Sequence, residues 1–177
     1  MLNGTVAASP GIVTKGTVLR IVLSIPDVGV PTEVSRTIIG SGFGERTDPA
    51  ALVIGPTGVG LGADGTLYVA DTLANRIAAI PDAATRTTSA GTGITISGDR
   101  SLNGPLGLTI VPDGDILAAN ANDGNVGEAT QGGTQVVVKA LDVADAGAGT
   151  LFGLAIRPNG RGVYFVNDGN NMLDLLH

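Results

Sequence analysis

Three polar residues, Asp71, Asn120 and Asn167, each end a short apolar run, and Asp168 follows the last of them. Carboxylate and amide oxygens are the ligands that Ca²⁺ prefers. If the three residues hold equivalent places in successive units of one fold, they form a ring, and Asp123 and Asp168 add charge nearby. One interpretation is therefore a Ca²⁺ or substrate site. The other is structural, because Asp and Asn at strand ends also bond the backbone N–H groups of the following loop.

The composition excludes several other kinds of chemistry. The 177 residues contain no Cys and one His, at position 177. A disulfide framework, a thiolate zinc site, a Cys nucleophile, a Ser-His-Asp triad and a His-rich metal centre are therefore not expected. The net charge is −6 and the ten Lys and Arg residues are scattered, which disfavours a nucleic-acid partner. No apolar run is long enough to predict a membrane span.

Two glycine clusters suggest anion sites but are better explained as backbone geometry. The segment Gly60–Gly65 fits a G-x-G-x-x-G pattern. That pattern must open a helix to hold a dinucleotide, and here it leads into the apolar run Thr66–Val69, so we predict a hairpin turn. The segment Gly40–Gly44 is either an anion-binding nest or a flexible passage between two sheets. We favour the passage, because a glycine-rich connection needs no ligand to explain it.

An internal repeat positions the polar residues. In each copy a Gly opens an apolar strand, an Asp-Gly or Asn-Gly pair predicts a tight turn, and a second strand ends on the acid or amide. Asn75, Asn125 and Asn171 then open a third strand. The equivalent glycines are Gly58, Gly107 and Gly153, which are 49 and 46 residues apart. The three copies cover Pro56–Asp71, Pro105–Asn120 and Leu151–Asn167.

A four-stranded unit that repeats at this spacing is typical of a β-propeller. We predict an all-β chain of about three to three and a half four-stranded blades, with fourth strands at Thr85–Ala90 and Thr134–Lys139. Before the repeats, Thr17–Leu23 is predicted as a third strand and Val34–Ile39 as a fourth. The predicted single domain divides into the end of one blade (1–50), two blades (51–98 and 99–145) and an incomplete blade (146–177).

The segment Asp64–Ile77, DGTLYVADTLANRI, resembles the NHL repeat, whose pattern is D-G-x-[IL]-Y-V-A-D-x-x-x-N-R-I. The other two copies depart from it, since the acid becomes Asn120 or Asn167. The resemblance implies a six-bladed propeller when complete, with this chain similar to the C-terminal half of bacterial NHL-repeat proteins. It implies no activity, because that family contains both interaction modules and enzymes.

Two functions remain open at the level of sequence. The first is a non-catalytic NHL-type module that presents loops to a protein or ligand. The alternative is a divalent-metal-assisted hydrolase or lactonase with an axial Asp/Asn site at Asp71, Asn120 and Asn167. The propeller resemblance implies this possibility, because propellers of the gluconolactonase and senescence-marker type have a central divalent site of Glu, Asn and Asp. With no His available, Asp71 or Asp168 would serve as the general base.

An open arc of blades leaves strand edges and apolar faces without a neighbour. We therefore expect the chain to associate with itself or with a missing N-terminal half of a propeller. The resemblance also implies a location outside the cytoplasm, either periplasmic or secreted.

Overall fold

The computed structural model describes residues 11–48, 52–141 and 151–177. Their regular structure consists of strands in four antiparallel sheets, as predicted. The strands are β1 Val13–Ser24, β2 Thr32–Asp48, β3 Leu52–Ile54, β4 Pro56–Leu61, β5 Leu67–Asp71, β6 Arg76–Ile80, β7 Ile94–Gly98, β8 Pro105–Ile110, β9 Ile116–Asn120, β10 Asn125–Ala129, β11 Gln135–Ala140, β12 Leu151–Ile156, β13 Val163–Asn167 and β14 Met172–Leu176. In chain order the four sheets are β1-β2-β3, β4-β5-β6-β7, β8-β9-β10-β11 and β12-β13-β14. Within the described residues no helix is long and apolar enough to cross a bilayer.

The three repeat copies form the predicted hairpins of the second, third and fourth sheets. Gly65, Gly114 and Gly160 have φ values of 82°, 98° and 71°, which lie in the left-handed region that favours glycine. The amides of Gly114 and Gly160 close their turns by donating to the carbonyls three residues earlier. The Asp-Gly and Asn-Gly pairs thus set the register of the first two strands in each sheet.

The repeated glycine at the start of each copy lets neighbouring sheets approach closely. A Cβ on Gly58 would lie 2.5 Å from both the Leu106 carbonyl oxygen and the Leu108 amide nitrogen in the third sheet. A Cβ on Gly107 would overlap the carbonyl oxygen of Phe152 in the fourth sheet. The first strands β4, β8 and β12 are therefore in contact side by side.

The apolar core lies between consecutive sheets. Side chains from the first and second sheets form one cluster, those from the second and third sheets form another, and those from the third and fourth form the last. The buried members include Phe43, Val69 and Ile80 in the first cluster, Tyr68, Ile77, Leu108 and Ile116 in the second, and Leu117, Val126, Leu151 and Phe165 in the third.

The first sheet differs from its predicted form. We expected a third and a fourth strand at Thr17–Leu23 and Val34–Ile39, but β1 and β2 are 12 and 17 residues long and pair as one bulged hairpin. The segment Gly40–Gly44, predicted as a passage between sheets, lies inside β2. The segment is a strand because it pairs with β1, and Gly40 has a packing role there, since a Cβ on it would lie 2.7 Å from the Ile80 Cδ1 atom of the second sheet. Strand β3 then pairs with the end of β2.

The predicted fourth strand at Thr85–Ala90 is also wrong. The fourth strand of that sheet is β7, which begins at Ile94. The residues before it bond the first sheet instead, because the Ala90 amide donates to the Ile39 carbonyl and the Ser41 amide donates to the Gly91 carbonyl.

An arginine of β1 makes a further tie between these two regions. The Arg20 Nη1 atom donates to the Ala83 and Arg86 carbonyl oxygens, each at 3.0 Å.

The predicted fourth strand of the third sheet, Thr134–Lys139, agrees with β11. The predicted boundaries at 50/51 and 145/146 lie outside the described residues.

Candidate functional site

A cleft of about 480 Å³, lined by both polar and apolar side chains, lies where the second strands of the sheets end and their loops begin. All four sheets contribute to it, the first through β2 and the others through the loops that follow β5, β9 and β13 or precede β8. Its polar lining consists of Arg46, Asp48, Thr72, Asn75, Asn103, Asn122 and Asp168.

Asn75 fixes one wall of the cleft by joining the second sheet to the third. Its backbone has a φ of 52°, a left-handed conformation that Asn tolerates better than most residues. The side-chain oxygen accepts from the Gly104 amide at 2.8 Å, and the side-chain nitrogen donates to the Leu102 carbonyl at 2.9 Å. Both hydrogen-bonding ends of the amide are therefore used to hold the loop before β8.

Two further contacts stiffen the same wall. Thr72 Oγ1 donates to the Pro105 carbonyl at 2.7 Å and lies 2.9 Å from Thr57 Oγ1. Asn122 donates through both its backbone N–H and its side-chain nitrogen to Asn103, each at 3.2 Å. The polar groups of the second and third sheets are thus held in fixed positions before any ligand arrives.

The charged groups of the cleft come from its two ends. Arg46 Nη1 donates to the Asp48 carboxylate at 3.0 Å and to the Thr47 carbonyl at 3.1 Å, so the guanidinium and carboxylate of the first sheet form an ion pair. Asp168 enters from the loop after β13 in the fourth sheet. Two carboxylates and one guanidinium therefore face a cleft whose other polar groups are neutral.

Of the four residues predicted for a site, only Asp168 lines the cleft. Asp71, Asn120 and Asn167 are buried at equivalent strand ends, as the repeat predicts. Asp71 accepts from Arg76 Nε at 2.9 Å, Asn120 donates to the Ser101 carbonyl at 2.8 Å, and Asn167 accepts from the Gly169 amide at 3.0 Å.

One carboxylate oxygen of Asp71 and the side-chain oxygen of Asn120 are buried and have no hydrogen-bond partner among the residues that the structure describes. Asp123, expected to add charge nearby, accepts from the Asn125 amide and from the Asn120 side chain. Asn167 and Asp123 thus bond the backbone of the loops that follow them, whereas Asp71 pairs with the Arg76 side chain and Asn120 bonds the loop before β8.

The cleft offers oxygen donors of the type that a hard cation binds. Two carboxylates and the neighbouring amide and hydroxyl oxygens match the donor set of Ca²⁺ in kind. Among the residues described, no group of three or more His, Cys, Asp or Glu side chains is placed to hold a metal ion. The cation would therefore take much of its coordination from neutral groups, water or a ligand.

Sequence reasoning missed the neutral part of this lining. Asn103 and Asn122 belong to no repeat motif, and they meet only because the fold brings the loop before β8 against the loop after β9. Asn75 was recognised as the start of a third strand, but not as a bridge between sheets. The usable signal was its place in the repeat, four residues after the strand-end acid.

Comparison with known proteins identifies the class of fold. No family model and no curated protein sequence matches the chain. A catalytically inactive variant of virginiamycin B lyase from Staphylococcus aureus, solved with quinupristin, has a TM-score of 0.52 and 18% identity over 97% of this chain and 50% of its own. Regucalcin, a calcium-binding protein from Agrobacterium tumefaciens, has a TM-score of 0.51 and 19% identity over 73% and 43%. A gluconolactonase from Xanthomonas campestris has a TM-score of 0.50 and 13% identity over 97% and 55%.

These neighbours are six-bladed propellers, and the four sheets described above have the arrangement of a partial β-propeller. The chain spans about half the length of the structures it matches. The narrower resemblance to the NHL repeat stays a prediction.

Proposed function

We propose that the cleft binds a divalent cation and a small polar ligand, and that the chain is part of a metal-assisted hydrolase whose substrate class is a cyclic ester, or lactone. The observation that carries this proposal is that the Asp48 and Asp168 carboxylates, from the first and fourth sheets, line the same cleft.

The residues of the cleft supply the parts of ester hydrolysis. A bound cation would polarise the ester carbonyl. The Asp168 carboxylate takes a proton from the attacking water as the new carbon–oxygen bond forms, and it returns the proton to the ring oxygen as the ring carbon–oxygen bond breaks. Arg46, oriented by Asp48, stabilises the negative charge that develops on the carbonyl oxygen.

The neighbours support the choice of this reaction class over a non-catalytic module. A gluconolactonase and a calcium-binding protein share the fold with this chain. The proposal carries their chemical class over to the cleft, where carboxylate and amide oxygens are present.

A second candidate is a non-catalytic module that binds a partner or ligand through the same loops, outside the cytoplasm. The observation in its favour is that Thr72, Asn75, Asn103 and Asn122 use their side chains to hold loops together. Such groups shape a binding surface without taking part in a reaction.

Calorimetry and a hydrolysis assay on the same samples separate the two candidates. Calcium is titrated into the wild-type chain and into Asp168→Asn, with Asp27→Asn as the control, because Asp27 is an exposed carboxylate outside the cleft. We expect the wild-type chain and Asp27→Asn to bind Ca²⁺ with a dissociation constant of about 0.1 to 1 mM, the range of weak extracellular calcium modules. Only Asp168→Asn should have a larger dissociation constant. Loss of a general base lowers lactone hydrolysis by about 100-fold or more.

Each outcome of this experiment is informative. Binding together with hydrolysis that Asp168→Asn abolishes supports the hydrolase. Binding without hydrolysis by the wild-type chain favours the module. An absence of heat and of turnover in the wild-type chain rejects the cleft as a metal-assisted site.

A further inference from the structure

The outward face of the fourth sheet repeats, position by position, the faces through which the second and third sheets contact their neighbours. The ladders pair Ala70 with Ile77, Ala119 with Val126, and Val166 with Leu173. These three pairs therefore hold equivalent places in three successive sheets, and all six side chains are apolar.

Burial differs sharply between these equivalent positions. Ile77 is 0% exposed against the third sheet and Val126 is 5% exposed against the fourth, whereas Leu173 is 66% exposed. Val166 is also exposed, although its equivalents Ala70 and Ala119 are fully buried. The fourth sheet thus presents to solvent a face whose counterparts are covered.

The glycine of the repeat shows what kind of surface fits there. Gly58 and Gly107 each lie against backbone atoms of the next sheet's first strand, with no room for a Cβ. At Gly153 the nearest atom to an added Cβ is Val166 Cγ2 of the same sheet, at 3.9 Å. A glycine at this place provides the close approach that a neighbouring strand's backbone uses in the other two copies.

The first sheet, at the other end of the series, also exposes apolar side chains. The β1–β2 hairpin exposes Ile21, Leu23, Val34 and Ile38. Exposed apolar side chains therefore lie on both end sheets of the same chain. A surface of this kind on a soluble domain marks an interaction site.

We propose that the fourth sheet of one chain receives the first sheet of a second copy, so that the chains associate head to tail with a strand backbone against Gly153. The contact continues the series of sheet-to-sheet interfaces already present within the chain. It uses the outward face of the fourth sheet, whereas Phe152 and Asp168 of that sheet line the ligand cleft, and it goes beyond the function proposed for the cleft. A head-to-tail contact uses two different surfaces, so its closure into a ring fixes the number of chains.

The test compares two Gly→Leu variants by light scattering after size exclusion, over about 1 to 100 µM protein, a range that detects micromolar association. Gly153→Leu fills the place of the proposed backbone contact. Gly132→Leu is the matched control, because Gly132 is exposed in the β10–β11 turn and its nearest atom to an added Cβ is 3.7 Å away. Neither glycine has a left-handed φ, so both variants are expected to keep the fold.

We expect the wild-type chain and Gly132→Leu to reach a mass above the 17.5 kDa of one chain as concentration rises. Gly153→Leu should weaken this association by about tenfold or more, as for a residue at the centre of an interface. Leu173→Asp should have the same effect, and Val137→Asp on β11, also an exposed strand residue, should not. The proposal is wrong if the wild-type chain stays at the mass of one chain, or if Gly153→Leu and Leu173→Asp associate as the wild type does.

Discussion

The two middle sheets and the two end sheets are built from different sequence patterns. The second and third sheets are covered on both faces. The strands β5 and β9 are almost entirely buried, and they are apolar except for their last residues, Asp71 and Asn120. The end sheets are covered on one face, and their strands β1 and β14 leave many side chains exposed. Small residues and glycines are therefore required where two sheets press together, and length and register are freer where they do not.

The largest expected effect comes from filling the glycine of the third sheet. Gly107→Leu places a side chain where the Phe152 carbonyl already lies, and backbone atoms cannot move aside as a flexible side chain can. We expect the free energy of unfolding to fall by about 3 kcal/mol or more, at the upper end for overpacked sites. Urea unfolding measures it. Gly153→Leu is the control in the end sheet, and equal losses in the two variants would contradict the comparison.

A buried and an exposed ion pair give the next contrast. The Arg76–Asp71 pair, at 2.9 Å, is mostly buried in the second sheet, whereas the Arg36–Glu33 pair in the first sheet is exposed. Asp71→Ala leaves a buried guanidinium without its carboxylate and should cost about 3 kcal/mol. Glu33→Ala should lower the midpoint of thermal unfolding only slightly, because exposed pairs contribute little. A large loss in Glu33→Ala would overturn this assignment.

The smallest expected effect is on the pH dependence of folding stability, to which a glutamate in the third sheet and one in the first sheet contribute with opposite signs. In the third sheet, burial raises the pKa of the Glu128 carboxyl, and Asp115 and Asp113 raise it further. The folded state therefore holds this proton more tightly, and stability is lost as pH rises from the unfolded pKa through the raised one. In the first sheet, the hydrogen bond from Arg36 lowers the pKa of Glu33, which contributes stability above its unfolded pKa and loses it as pH falls through the lowered one.

Thermal unfolding of two Gln variants checks these signs. Glu128→Gln should melt higher than the wild type at neutral pH, with the difference vanishing in acid below the unfolded pKa of Glu. Glu33→Gln should melt slightly lower at neutral pH and match the wild type in acid. A Glu128→Gln variant that is less stable than the wild type at neutral pH would show that the carboxylate has a favourable role in the fold.

Much of the fold could be predicted because residues that are close together in each repeat determine its hairpin. A turn pair such as Asp113-Gly114 fixes a hairpin within a few residues, and the glycine spacing then fixes the order of the sheets. The segment Thr85–Ala90 could not be predicted in this way. Its threonines have some strand propensity, but the Thr85 and Arg86 amides donate to the Asp82 carbonyl in a local turn. The Ala90 amide donates to Ile39 of β2, which is more than 40 residues away in the chain.

The candidate site was only partly predictable for a related reason. Asp168 follows a strand end and was found by its type and place. The pairing of Asn103 with Asn122 and the bridge from Asn75 to Gly104 depend on contacts between loops of different sheets. No local pattern records such contacts, because the spacing between the loops is set by the packing of whole sheets.

The bonds from Arg20 bear on the order in which the chain folds. They join β1 to carbonyls that are 63 and 66 residues further along the chain. The β1–β2 hairpin precedes the second sheet in the chain, and closing so long a loop costs entropy that local hairpins avoid. We therefore expect this hairpin to settle into its final position late, after the second sheet and the loop at Ala83–Arg86 exist to receive it.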